Sequence, residues 1–173
     1  MADELIDVTE LQVVLQQFAD DVAERYKARL RGSDHYAGGA LEQSITTRIV
    51  AGDGEWEARL SLLDYWKYLE DGTAPHWPPR DAILRWIQIK PVVPRPDASG
   101  RIPTPKQLAF LISRAMAGKS PNQAALKNPY GGTTGTHDLA HTKDDILPFY
   151  RERIAATFVK IAGEYIRKVI ASA

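Results

Sequence analysis

Apolar positions fall at three- and four-residue spacings near both ends of the chain. Leu11, Val14, Leu15, Phe18, Val22, Tyr26 and Leu30 form one such stripe, which predicts a helix from about Thr9 to Arg31. Leu147, Tyr150, Ile154, Phe158, Ile161, Tyr165 and Val169 form another, which predicts a long helix from about Thr142 to Ala171, with Pro148 inside its first two turns. Thr9 and Gln12 have the spacing of a capping box, and Gly32 is placed to close the first helix through a left-handed turn. The opposite face of that helix carries Asp20, Asp21, Glu24, Lys27 and Arg31 and reads as solvated.

Between the helices the period changes to two. Ile45–Val50 is rich in β-formers, and Trp56, Ala58, Leu60 and Leu62 alternate with Glu57, Arg59 and Ser61. Gly52-Asp53-Gly54 separates the two runs, so they predict a hairpin with one face buried. Before it, Tyr36–Ser44 reads as a loop entering a helical turn. After it, Asp64–Thr73 predicts a short aromatic helix closed by Gly72. Pro75-His76-Trp77-Pro78-Pro79 is held extended by its prolines. Arg80–Lys90 predicts an amphipathic helix with Ile83, Leu84, Trp86 and Ile87 inward. Pro91–Gly100 is too proline-rich for a central strand, although further strands stay open around residues 88–103. Thr104-Pro105 opens another helix, with Leu108, Leu111, Ile112, Ala115 and Met116 as its stripe and Gly118 as its stop. Lys119–His141 is polar and glycine-rich, and a connection of that length is generally functional or ordered only on binding.

These elements predict an α+β fold, with long N- and C-terminal helices packed on a small antiparallel sheet and joined by short helices and long loops. The expectation is a single domain over residues 1–173, with 91–103 and 118–143 as extended arms or loops.

Composition narrows the chemistry. The 173 residues suit one domain and bury enough surface to fold without a covalent or metal staple. The absence of Cys excludes a disulfide scaffold, a Cys-based zinc site, an iron–sulfur cluster and a thiol nucleophile. Lys and Arg total 22 against 22 Asp and Glu, which argues against a protein whose main task is gripping nucleic acid. The acidic start Met1-Ala2-Asp3-Glu4 does not read as a signal peptide, and the apolar runs are too short to span a bilayer. A soluble intracellular product with no membrane partner is expected.

Candidate active-site chemistry is sparse. The chain has no Gly-x-x-x-x-Gly-Lys-Ser/Thr loop, no Gly-x-Ser-x-Gly elbow and no Gly-x-Gly-x-x-Gly run. His137-Asp138-Leu139-Ala140-His141 places two His four apart, a spacing that on a helix can share a metal ion. Asp stands where the catalytic Glu of such motifs would be, and no third ligand is evident. A metal-dependent hydrolase through His137 and His141 is therefore the competing reading beside a plain loop that caps the last helix. His76 and Trp77 read as a turn packed on the core. Lys119, Lys127 and Lys143 could touch phosphate, but Asp138, Asp144 and Asp145 argue against a sequence-specific DNA reader. Glu70-Asp71 and Asp144-Asp145 are explained by solvation at helix ends. No catalytic residue, cofactor or metal is expected, and the chain is not read as an enzyme.

Tyr65-Trp66-Lys67-Tyr68-Leu69-Glu70-Asp71-Gly72-Thr73, then His76-Trp77-Pro78-Pro79, then Ala82-Ile83-Leu84-Arg85-Trp86-Ile87, resembles the pattern of tailed-phage neck and tail-completion proteins, the minor tail component family. The Ala- and Ile-containing helix Gln107–Gly118, a Gly-containing loop and a C-terminal helix follow in the family's order. Upstream, an N-terminal helix, Gly39-Ala40-Leu41-Glu42-Gln43-Ser44-Ile45 and a hairpin also fit. The resemblance covers most of the chain in order, but its specific part is about two dozen residues. The proline-rich insertion at Pro91–Gly100 and the extended glycine-rich loop depart from it.

The resemblance implies a structural virion protein, assembled in the host cytoplasm, which joins the capsid connector to the tail as a homo-oligomeric, sixfold ring. Its partners would be the connector, stopper and tail terminator or tube proteins. DNA would pass through the lumen without sequence-specific binding. A tail terminator ring of the same particle is the alternative within that class. The surfaces expected to carry assembly are the aromatic turn Tyr65, Trp66, Tyr68 and Trp77, the arm Pro91–Pro96 with Val92, Val93 and Pro94, and the loop Asn128–Thr136 with Tyr130. For the aromatic turn, a plain hydrophobic core is the competing reading. Because a basic lumen would grip phosphate, the channel face should be neutral to acidic.

Overall fold

The computed structural model describes residues 7–33, 36–52, 55–90, 92–120, 124 and 131–171. The fold is α+β. In order along the chain come α1 (Thr9–Gly32), α2 (Ala40–Ser44), β1 (Thr46–Gly52), β2 (Glu55–Ser61), α3 (Trp66–Glu70), β3 (Gly72–Thr73), α4 (Arg80–Ile89), α5 (Pro105–Met116), β4 (Thr133–Thr134) and α6 (Asp138–Ala171). The chain divides into two compact units. One is discontinuous and comprises residues 1–32, 41–63 and 138–173; the other comprises 33–40 and 64–137.

In the discontinuous unit α1 and α6 pack together and on the antiparallel β1–β2 pair. The two helices run antiparallel. Arg29 reaches Asp145 at 2.7 Å, Tyr150 donates to Asp21 at 2.7 Å, Arg153 to Gln17 at 2.9 Å and Lys160 to Glu10 at 2.6 Å. Between these polar clasps lies the apolar seam of Val14, Val22, Ile146 and Tyr150, with Phe18, Leu139 and Ile154 against it. Burial of such side chains contributes about 1.5–3 kcal/mol each and is the main force holding the pair. Strand register places Thr47, Ile49 and Ala51 opposite Leu60, Ala58 and Trp56. The β2 positions of this set alternate with exposed Glu55, Glu57, Arg59 and Ser61, as the period-two pattern requires. Thr47 on that face meets Gln16 and Asp20 of α1. The expected turn residues Asp53 and Gly54 lie outside the described residues.

Three details differ from the sequence expectations. The start of α1 is capped two residues early: the Asp7 carboxylate accepts the Thr9 N–H at 3.0 Å, and Gln12 N–H bonds Val8 C=O. Gly32 is the last helical residue and does not adopt the left-handed turn. Finally, α6 starts at Asp138 rather than Thr142, so residues 138–143 are helical and not part of an extended loop. Its buried face is Thr142, Ile146, Tyr150, Thr157 and Ile161, whereas Leu147, Phe158, Tyr165 and Val169 are exposed. Two threonines hold inward positions that a hydropathy count passes over. Thr142 can do so because its hydroxyl donates to Asp138 C=O at 2.6 Å, leaving its methyl to pack.

The second unit is built on α4 against α5. The α5 start matches its signature in full. Thr104 accepts from the Gln107 amide, Gln107 reaches back to the Thr104 N–H at 2.9 Å, and Pro105 occupies the first turn. The buried positions of α5 are small, Ala109 and Ser113, while Leu111 of the expected stripe is exposed. No strand forms among the described residues of 88–103. Instead, prolines keep the arm extended up to a turn in which the Asp97 carboxylate accepts from the N–H groups of Ser99 and Arg101. A second two-stranded pairing, unforeseen from sequence, joins Gly72 to Thr134 and Thr73 to Thr133.

Candidate interaction surface

The β3–β4 pairing shapes an apolar crevice. Gly72 follows the α3 cap with φ +78°, a left-handed conformation that glycine adopts without strain. Gly132 has φ +72°, and a Cβ there would stand 2.0 Å from Thr73 O. Gly135 similarly has room for no Cβ, with Glu70 O at 2.1 Å from its position. The end of the glycine-rich segment is therefore pressed backbone to backbone on the turn after α3. Gly132 N–H donates to Met116 O at 2.7 Å, Thr136 N–H to Leu69 O at 2.8 Å and His137 N–H to Glu70 O at 3.2 Å. The hydroxyls of Thr73 and Thr133 meet at 3.0 Å. Residues 131–136, expected to reach a neighbour, fold back on their own unit.

The resulting crevice has a volume of about 650 Å³ and is lined by Tyr68, Leu69, Ala74, Pro75, His76 and Met116 beside the two paired strands. His76 is fixed by a 2.9 Å contact from Nδ1 to Ala74 O. Next to it Trp77 stacks on Phe110 with centroids 6.3 Å apart. Arg80 lies 4.9 Å over the Phe110 ring and Lys119 lies 6.0 Å over Trp77. A second hollow, also about 650 Å³, is lined by Arg95, Arg101, Lys106, Phe110 and Asp97. There the Ser99 hydroxyl and the Arg101 N–H hold the Asp97 carboxyl below its ordinary pKa.

Of the residues proposed from sequence, Tyr65, Tyr68, Trp77 and Val93 are exposed, Val93 to 86%. Trp66, Val92 and Pro94 are half-buried. Tyr130 lies outside the described residues. The crevice brings Tyr68 together with His76 and places Trp77 beside them, but it owes its shape to Gly72 and Gly132 rather than to the aromatics.

His137 stands just before α6 with φ +54°, so it and His141 are not on successive turns of one helix. Among the described residues, no three His, Asp or Glu side chains form a cluster that could hold a metal ion. No described helix is long and apolar enough to cross a membrane.

A further exposed apolar feature lies on α6, and the sequence reading missed it. Phe149, Phe158, Val159, Ile166, Val169 and Ile170 are all at least 40% exposed. The series Ala155, Phe158, Ala162, Tyr165 and Val169 repeats at alternating spacings of three and four, with Val159 and Ile166 beside it. That is a second stripe on the same helix, and only one of the two faces the core. The signal was present, but Phe158, Tyr165 and Val169 were merged with the core stripe.

Charge is also unevenly distributed. The discontinuous unit has 12 Lys and Arg against 16 Asp and Glu, and the other unit has 10 against 6. The zero net charge of the chain is thus an acidic unit joined to a basic one.

Comparison with protein-family models, curated proteins and solved structures finds no match to this chain.

Proposed function

We propose that the chain is a structural subunit of a tailed phage, a head–tail connector or tail-completion protein that forms a ring around the DNA channel between capsid connector and tail. The observation that carries this reading is the order of segments around the aromatic turn. An N-terminal helix and a hairpin precede Tyr65–Thr73, then come the double proline, the Ile83-Leu84-Arg85-Trp86-Ile87 helix, a further helix and a long C-terminal helix. That is the order of the family which the turn resembles. The exposed aromatic and apolar side chains support it, because a ring subunit works through surfaces and repeats one heterologous contact until the circle closes.

The test is to locate the subunit in purified particles by electron microscopy. Density for this fold at the head–tail joint, in several symmetry-related copies, is the expected result. Absence of the protein from intact particles, together with failure to associate with neck components, would remove the proposal. A position at the tail end of the joint would favour the tail terminator instead.

A further inference from the structure

We propose that the exposed stripe of α6 in one copy docks on the apolar crevice of the next copy, so that the repeating joint runs from the acidic unit of one chain to the basic unit of its neighbour. This rests on the ring reading above. The stripe is centred on Phe158, Tyr165, Ile166 and Val169, faces solvent and has the spacing of a helix face that packs on another element. The part beyond Ile161 runs past the level of Thr9, since Lys160 already meets Glu10 at the first turn of α1. No described α1 residue is therefore level with Tyr165–Ile170.

Three observations choose the occupant. The first is shape: the crevice is concave, mainly apolar and open, and Tyr68 at its edge is 64% exposed. A pairing of α6 with its own copy would leave that crevice bare, whereas a heterologous joint covers both surfaces with one contact. The second is charge. Exposed Asp64 and Asp71 flank α3, and exposed Arg151, four residues before Ala155, continues the line of the α6 stripe. The opposite net charges of the two units act in the same direction at longer range. The third is size. From Ala155 to Ile170 the stripe is roughly 25 Å long and, at helix width, offers roughly 250–300 Å². A stable free dimer needs about 800 Å² on each partner. A joint this small holds weakly alone and becomes secure only when several close together, as in a ring.

The chain has no Cys, so engineered thiols report on this contact without background. Ile166→Cys and Tyr68→Cys are made singly, and both sites are exposed, so folding should be retained. Each variant is oxidised alone and as an equal mixture, at high concentration and in assembled particles. The expected result is a disulfide-linked pair only in the mixture, and a covalent ladder when both substitutions are in one chain. A pair from Ile166→Cys alone would show α6 on α6 and overturn the proposal. A ring that forms without the mixed crosslink would also overturn it, while leaving the ring reading intact. Failure to associate under any of these conditions would remove both. Phe158→Asp added to the Ile166→Cys chain should keep the melting temperature within a degree or two, because Phe158 is exposed, and abolish the mixed crosslink.

Discussion

Replacing Tyr150 by Phe tests how α6 is held on α1. The Tyr150 ring is 97% buried, with centroids 5.4 Å from Phe18 and 5.3 Å from Phe149. Phe keeps those contacts and removes only the hydroxyl, which donates to Asp21 at 2.7 Å. A hydrogen bond to a charged acceptor contributes about 1.5–3 kcal/mol, and exposure of Asp21 to solvent lowers this toward about 1–2 kcal/mol. For a chain of this size that is a fall of roughly 2–8 °C in melting temperature. The bond also has a pH signature. Burial first, then the hydrogen bond and the charge of Asp21, raise the Tyr150 pKa above its ordinary 10.0. The folded state keeps the phenolic proton where the unfolded chain has lost it. Its contribution is therefore complete below about pH 10 and fades as pH rises through the folded pKa. Urea titrations of both proteins from pH 7 to 11 should give a constant stability difference that then shrinks at the alkaline end. A Tyr150→Phe variant as stable as the parent at pH 7, or a difference that grows with pH, would refute the reasoning.

Further outcomes follow from single positions. Gly132→Ala should destabilise the crevice unit by about 3 kcal/mol or more, because the new Cβ meets backbone at φ +72°; hydrogen exchange at Met116–Gly118 and Thr133–Thr136 would show it, and unchanged protection would count against the packing described. Gly163→Ala has the opposite sign: the position is helical with nothing within 4 Å, so thermal unfolding should show a gain of about 0.5–1 kcal/mol. The Asp97 turn should loosen in acid. Its folded pKa lies below the ordinary carboxylate value, so its contribution is present above that value and disappears as pH falls through the folded pKa. Slowed exchange of the Ser99 and Arg101 amides at pH 6 but not near pH 2 would be the sign, and equal protection at both would contradict it.

Strong local chemistry was readable from the sequence, and shared surfaces were not. The Thr104-Pro105 start of α5 was visible because capping is decided within four residues. The hairpin was visible because a period of two has one interpretation over seven residues. The inward face of α6 was misread because the helix carries two apolar stripes, and spacing alone does not say which one meets α1. The β3–β4 pairing joins residues sixty apart through two backbone pairs, and no hydropathy pattern encodes that. Its trace in the sequence is a set of glycines, which read as looseness and act here as close contact. Within the candidate surface, Tyr68 and Trp77 were identifiable as large aromatics in a proline-bounded turn, whereas the crevice beside them depends on Gly72 and Gly132.

The clasp between α1 and α6 has a consequence for synthesis. Arg29 waits for Asp145, 116 residues later, and Glu10 waits for Lys160, 150 residues later. At translation speeds of about 5–20 residues per second, the α1 stripe has no native α6 partner for roughly 6–30 s after it emerges. During that interval every ribosome on the message displays the same unburied Leu11, Val14, Phe18 and Val22 to its neighbours. The chain is thus most prone to aggregation while being made, and slower elongation through residues 33–137 would lengthen the exposure.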